Sequence, residues 1–138
     1  MRHTFLPFSR PAIGEEEIAE VVDSLRSGWI TTGPKVERFA RAFAEYTGAR
    51  HAVPVSSATA GLHLALLAHG VGPGDEVIVP AMTFASTANV VVHAGAVPVL
   101  ADVHSGSFQV EPEEIARRLT KRTRAIIPVH FAGQPADL

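Results

Sequence analysis

The hydrophobic and polar positions follow one pattern up to about residue 50 and another beyond it. From about Glu15 to Arg26, Ile18, Val21, Val22 and Leu25 recur at helical spacing behind three acids, which suit the positive end of a helix dipole. Ser27-Gly28 ends this stretch. A second helix is predicted from Pro34, whose missing N–H costs nothing in a first turn, with Val36, Phe39, Ala40 and Phe43 on one face and Gly48 at its end. "GWITTG" joins the two, and the opening "FLPFSRPAIG", with two prolines and no period, reads as an extended surface segment. From His51 onward short β-branched runs alternate with longer helical ones. "HAVPV", "EVIVP", "AVPVLAD" and "RAIIPVH" read as strands; "ATAGLHLALLAHG", "ASTANVVVHAG" and "EPEEIARRL" read as the helices between them. Nearly continuous apolar strands suit a parallel sheet covered on both faces, so the expected fold is α/β, a three-layer α/β/α sandwich with a mostly parallel sheet. The expected organisation is residues 1–50 as an extended segment with two helices and 51–138 as βα repeats, within one globular unit. "IIPVHFAGQPADL" finishes a strand and starts a turn without closing the sheet, so the repeat is expected to be incomplete.

Composition narrows the function classes. Over 138 residues the hydrophobic content is 46%, enough for a substantial core, and the formal charge is −2 without a Lys/Arg cluster, which disfavours nucleic acid as a partner. The chain contains no cysteine, which rules out a disulfide framework or thiolate metal site and points to the cytoplasm. The first residues lack the apolar core of a signal peptide, and no apolar run approaches membrane-spanning length.

Candidate chemistry centres on "VSSATAGL", where the first predicted strand turns into a helix. In open α/β sheets such helix starts aim unpaired N–H groups at ligands, and small hydroxyl-bearing residues leave room for an anion. Ser57, Ala58 and Thr59 could form a phosphate cradle; equally, Ser57 could simply cap the helix. In "PAMTFASTAN", Phe84 lies past the end of the next strand beside Thr83, Ser86 and Thr87, where its ring could stack on a flat ligand or fill the core. "GVGPGDE" has its glycines after a helix rather than after a strand, the wrong order for a dinucleotide fingerprint, and no P-loop or GxSxG elbow occurs. The seven histidines fall on different elements without ligand spacing, so no metal site is expected. Of the histidines His130 alone ends a strand, where chemistry would sit; Asp102 also ends one, where a carboxylate could hold a ligand nitrogen or ribose but more often caps the following turn.

"LPFSRPAIGEEE", "LRSGWITTGPKVERFARAFAEYTGARHAVPVSSATAGLHLAL", "GDEVIVPAMTFASTANVVVHAGAVPVLADV" and "RAIIPVHFAGQPADL" together resemble the start of the DegT/DnrJ/EryC1/StrS family of sugar aminotransferases. Within that family the likeness is to enzymes that aminate a UDP-linked 4-keto-pentose. The resemblance covers essentially the whole chain. It implies the large domain of pyridoxal-phosphate (PLP) enzymes of fold type I, usually in a homodimer, with the cofactor phosphate on Ser57, Ala58 and Thr59, the pyridine ring on Phe84, and Trp29, Thr31 and Thr32 near the substrate. The implied reaction is a ping-pong amino transfer from glutamate, through the cofactor, to a nucleotide-linked keto sugar. One departure matters: the only lysines, Lys35 in a helix start and Lys121 in "TKRTR", match nothing like the family's Schiff-base motif, and the aspartate for the pyridinium nitrogen would also lie beyond Leu138. No catalytic residue is therefore assigned, and this chain alone is expected to bind PLP weakly without transaminating. A PLP-dependent sugar dehydratase, which carries histidine in place of that lysine, and a non-catalytic assembly module remain alternatives.

Overall fold

The computed structural model describes Phe5 and residues 10–137, so residues 6–9 of the predicted extended opening lie outside the described residues, while residues 10–14 are exposed and form neither helix nor strand. Two compact units divide the chain at Pro54/Val55.

The first unit holds α1 (Glu15–Ser27) and α2 (Pro34–Thr47). Glu17 accepts from the Gly14 amide at 2.7 Å at the start of α1, and that bond holds its carboxyl below the usual carboxylate range. Gly28 and Gly48 end the two helices in the left-handed region, at φ 76° and 71°, where a side chain would be strained. Lys35 bridges the helices, its ammonium 2.7 Å from Glu20 and 2.9 Å from Asp23, while Arg38 reaches Glu20 at 2.8 Å. The contact with Lys35 lowers the pKa of both carboxyls; that with Asp23, followed by Glu20, raises that of Lys35. Neither helix buries a residue, and the apolar face predicted for α1 stays open, with Val21 60% and Leu25 65% exposed.

The second unit runs α3 (Ala58–Ala68), β1 (Glu76–Pro80), α4 (Ser86–His93), β2 (Val97–Ala101), α5 (Pro112–Arg118) and β3 (Thr123–Ile126). Its sheet is parallel in the order β2-β1-β3. Side chains alternate across the buried central strand: Val77 and Val79 pack with Leu66 of α3 and Val90 and Val91 of α4, whereas Ile78 packs with Ala101, Val110 and Ile115 of α5. Helices thus cover both faces in three layers, as the sequence predicts. At about 1.5–3 kcal/mol for a fully buried aliphatic side chain, these two clusters are the principal driving force of the unit. Below the sheet, buried Glu76 accepts from the Thr120 hydroxyl at 2.6 Å and pairs with Arg122, tying the start of β1 to that of β3; these contacts, Thr120 first, lower its pKa.

Two expectations need correction. Residues 51–55, predicted as the first strand, are irregular, and Val53 is 78% exposed. The run lies outside the β2-β1-β3 ladder, and Pro54 within it lacks the N–H that a ladder needs, so its apolar character does not make it a strand. The run "RAIIPVH" pairs only as far as Ile126, with one further backbone bond from Ile127, before Pro128 interrupts it. Continuous burial holds for β1 alone; β2 and β3, at the edges, are partly exposed.

Candidate functional site

The short turn 69–75 joins the end of α3 to the start of β1, which directs the amino end of α3 toward the carboxyl end of the sheet. That end is where open α/β sheets collect ligands. Ser57 caps α3: its Oγ accepts from the Ala60 amide at 3.1 Å, and its carbonyl accepts from Gly61 at 3.1 Å. Among the described residues nothing accepts from the amides of Ala58 and Thr59, so these donors stand open at the positive end of the helix dipole. The cap and the cradle are therefore compatible, since Ser57 satisfies a deeper amide and leaves the two outermost ones available. Its own O–H, not used in accepting from Ala60, remains a donor. Ala58 is exposed and Thr59 half-buried, and small side chains here leave room for close approach to the backbone.

Phe84 lies past the carboxyl end of β1, 79% exposed on a turn that is itself well held. Its carbonyl accepts from the Thr87 amide at 2.9 Å, and the Thr83 and Thr87 hydroxyls meet at 2.7 Å, with Thr87 buried. Phe84 is not core: the turn holds an aromatic ring out at the same end of the sheet as the opening of α3. Asp102 accepts from the Val103 amide at 3.0 Å, the predicted local turn role. His130 follows β3 and is exposed; its Nδ1 accepts from the Ala136 amide at 3.0 Å, which leaves the other ring nitrogen to carry the proton in the neutral form. Buried Gln109 holds the same segment, donating to the Phe131 carbonyl at 3.1 Å and accepting from the Phe131 amide at 3.4 Å. Sequence reasoning missed this clamp, which joins residues far apart in the chain.

Trp29, Thr31 and Thr32 belong to the first unit, so the predicted site residues fall into two groups, each described on its own unit. Trp29 and Thr31 line a cavity of about 370 Å³ with Asp23, Ser27, Gly33, Pro34, Lys35, Arg38 and Arg41; exposed Thr32 is not among its lining residues. The three cations were missed, although their spacing along α2 was there to read. A separate apolar cavity of about 540 Å³ between α3 and β3, lined by Leu62, Leu66, Ile126 and Ile127 among others, contains none of the predicted residues. Among the described residues no three metal-ligating side chains gather, and no helix is long and apolar enough to cross a membrane.

Comparison with known proteins supplies the chemical context. The model of the DegT/DnrJ/EryC1/StrS aminotransferase family matches residues 11–138. The spore coat polysaccharide biosynthesis protein SpsC of Bacillus subtilis is 52% identical over 137 residues, 99% of this chain and 35% of that protein. A putative sugar aminotransferase of Streptococcus pneumoniae, solved in its PMP form, superposes with a TM-score of 0.89 at 48% identity over 96% of this chain and 33% of the other; the same enzyme has also been solved in a PLP form. The crystal structure of 3-amino-5-hydroxybenzoic acid synthase gives 0.85 at 43% identity over 94% of this chain and 34% of the other. The chain spans about a third of the length of these relatives.

Proposed function

The chain belongs to the DegT/DnrJ/EryC1/StrS aminotransferase family, and on that premise we propose that it forms the cofactor-phosphate-binding part of a PLP-dependent aminotransferase that moves an amino group from glutamate to a nucleotide-linked keto sugar, working in the cytoplasm as a homodimer. The observation that carries this reading is the pair of open amides at Ala58 and Thr59, at the end of the sheet where Phe84 stands exposed. The fit is chemical: a phosphate dianion suits amide donors at a helix start, and a pyridine ring suits an exposed phenyl face.

In this reading the Ala58 and Thr59 amides and the Ser57 hydroxyl hold the phosphate, while Phe84 covers one face of the ring and excludes water from it. Bound PLP supplies a carbonyl that takes up an amino group and an electron-withdrawing ring that eases proton removal. Trp29, Thr31 and Thr32 are the residues proposed to contact the sugar substrate. Equilibrium dialysis of the chain against PLP and against pyridoxal, which lacks the phosphate, tests the cradle. With about 1.5–3 kcal/mol for each charge-assisted hydrogen bond, PLP is expected to bind at least tenfold more tightly than pyridoxal. Equal binding would reject the assignment.

The open apolar faces of α1 and α2 and the unpaired edge of β3 favour a second reading, a module that associates with another polypeptide. Sedimentation of the chain paired with the PLP dialysis separates the two, since both readings assemble but a purely associating module would do so without binding PLP.

A further inference from the structure

We propose that the first-unit cavity beside Trp29 binds the nucleoside diphosphate end of an activated sugar, with the base against the indole and the phosphates on Arg38 and Arg41. This inference rests on the nucleotide-sugar reading above and adds which part of the substrate these residues take. The cavity, about 370 Å³, falls within the roughly 300–1,000 Å³ usual for small-molecule sites.

Its two kinds of wall select a ligand that is flat at one end and anionic at the other. Trp29 is 61% exposed, and it lies so close to the backbone at Gly33 that a Cβ there would come within 2.7 Å of the indole. A glycine at that position thus allows the ring its place at the cavity wall, with much of its surface left open for stacking. Opposite charge comes from α2. Lys35 is engaged by both Glu20 and Asp23, and Arg38 shares Glu20, so these two cations and two carboxylates balance. Arg41 has no ion-pair partner among the described residues, and at three positions from Arg38 it projects from the same side of the helix. Two guanidinium groups side by side, one without an acid, match the planar, paired recognition of phosphate oxygens that arginine provides and lysine does not. A free sugar would use neither wall, and an inorganic anion would leave the indole unused.

Trp29 is the only tryptophan, so its emission reports on this cavity directly. Titrating the 138-residue chain with UDP is expected to change that emission saturably, with uridine and inorganic pyrophosphate each binding at least about tenfold more weakly. Arg41→Ala, an exposed position outside the ion pairs, is expected to weaken UDP at least about tenfold while leaving the circular dichroism spectrum unchanged. The inference is overturned by an emission that does not respond to UDP, by an Arg41→Ala titration that matches the wild type, or by uridine or pyrophosphate binding as tightly as UDP. Dialysis of the same samples against PLP keeps the two proposals apart: PLP binding without a UDP response rejects only this one, and the reverse rejects only the cofactor cradle.

Discussion

Ser57 combines a structural role with a proposed chemical one, and two substitutions separate them. Its Oγ accepts from the Ala60 amide at 3.1 Å, so Ser57→Ala removes the cap of α3 and is expected to cost about 0.5–2 kcal/mol. Each kcal/mol corresponds to about 4–8 °C of melting temperature in a cooperative unit of this size. Ser57→Asp keeps an oxygen acceptor, and its charge gains about 0.3–1 kcal/mol from the helix dipole, so this variant should melt at or above the wild type. For the ligand the sign reverses. Two unit negative charges about 4 Å apart repel by roughly 4 kcal/mol at an effective dielectric of 20, which corresponds to a loss of PLP affinity of roughly a hundredfold to a thousandfold. Thermal melts followed by circular dichroism, paired with PLP dialysis, read both effects on one sample. If Ser57→Asp is stable and binds PLP like the wild type, no phosphate sits at the start of α3 and the reasoning fails.

Two further outcomes follow from the packing and the ion pairs. Ile78→Ala empties a fully buried position between β1 and α5 and should destabilise the second unit by about 2–5 kcal/mol, whereas Ile78→Val should cost about 0.5–1.5; chemical denaturation of both variants reads the difference, and equal costs would mean the site collapses around any side chain. The Lys35 cluster should make the first unit pH-dependent on both sides. The lowered pKa values of Glu20 and Asp23 give stability that is present above the ordinary carboxylate range and is lost as pH falls through their folded values; the raised pKa of Lys35 gives stability that is present below the ordinary lysine range and is lost as pH rises through its folded value. The difference in melting between wild type and Lys35→Met should therefore be greatest near neutrality, shrink toward both extremes, and fall with added salt because the pairs are exposed.

Helix ends were legible in the sequence because they are set by local chemistry: Pro34 and the Gly28 and Gly48 stops mark α1 and α2 to within a residue or so. The same holds for the cap at Ser57. Residues 51–55 misled because an apolar run reports that a segment could pair, while Pro54 inside it removes an N–H and the assembled β2-β1-β3 order leaves the run unpaired. Pro128 shortened β3 for a reason visible in the sequence but outweighed there by the β-branched run around it. Around the candidate sites, sequence placed Phe84 past a strand end yet could not say whether its ring was buried. It also left Arg38 and Arg41 unnoticed, since cations on a helix surface look alike until a ring such as Trp29 stands beside them.

The central claim, that the opening of α3 grips a phosphate, is tested most directly by proton–nitrogen correlation spectra of the labelled chain during PLP titration. The account predicts that the Ala58 and Thr59 amide signals move saturably and further than those elsewhere in the second unit, and that pyridoxal leaves them in place. Signals of Ala58 and Thr59 that stay fixed while PLP binds would contradict it.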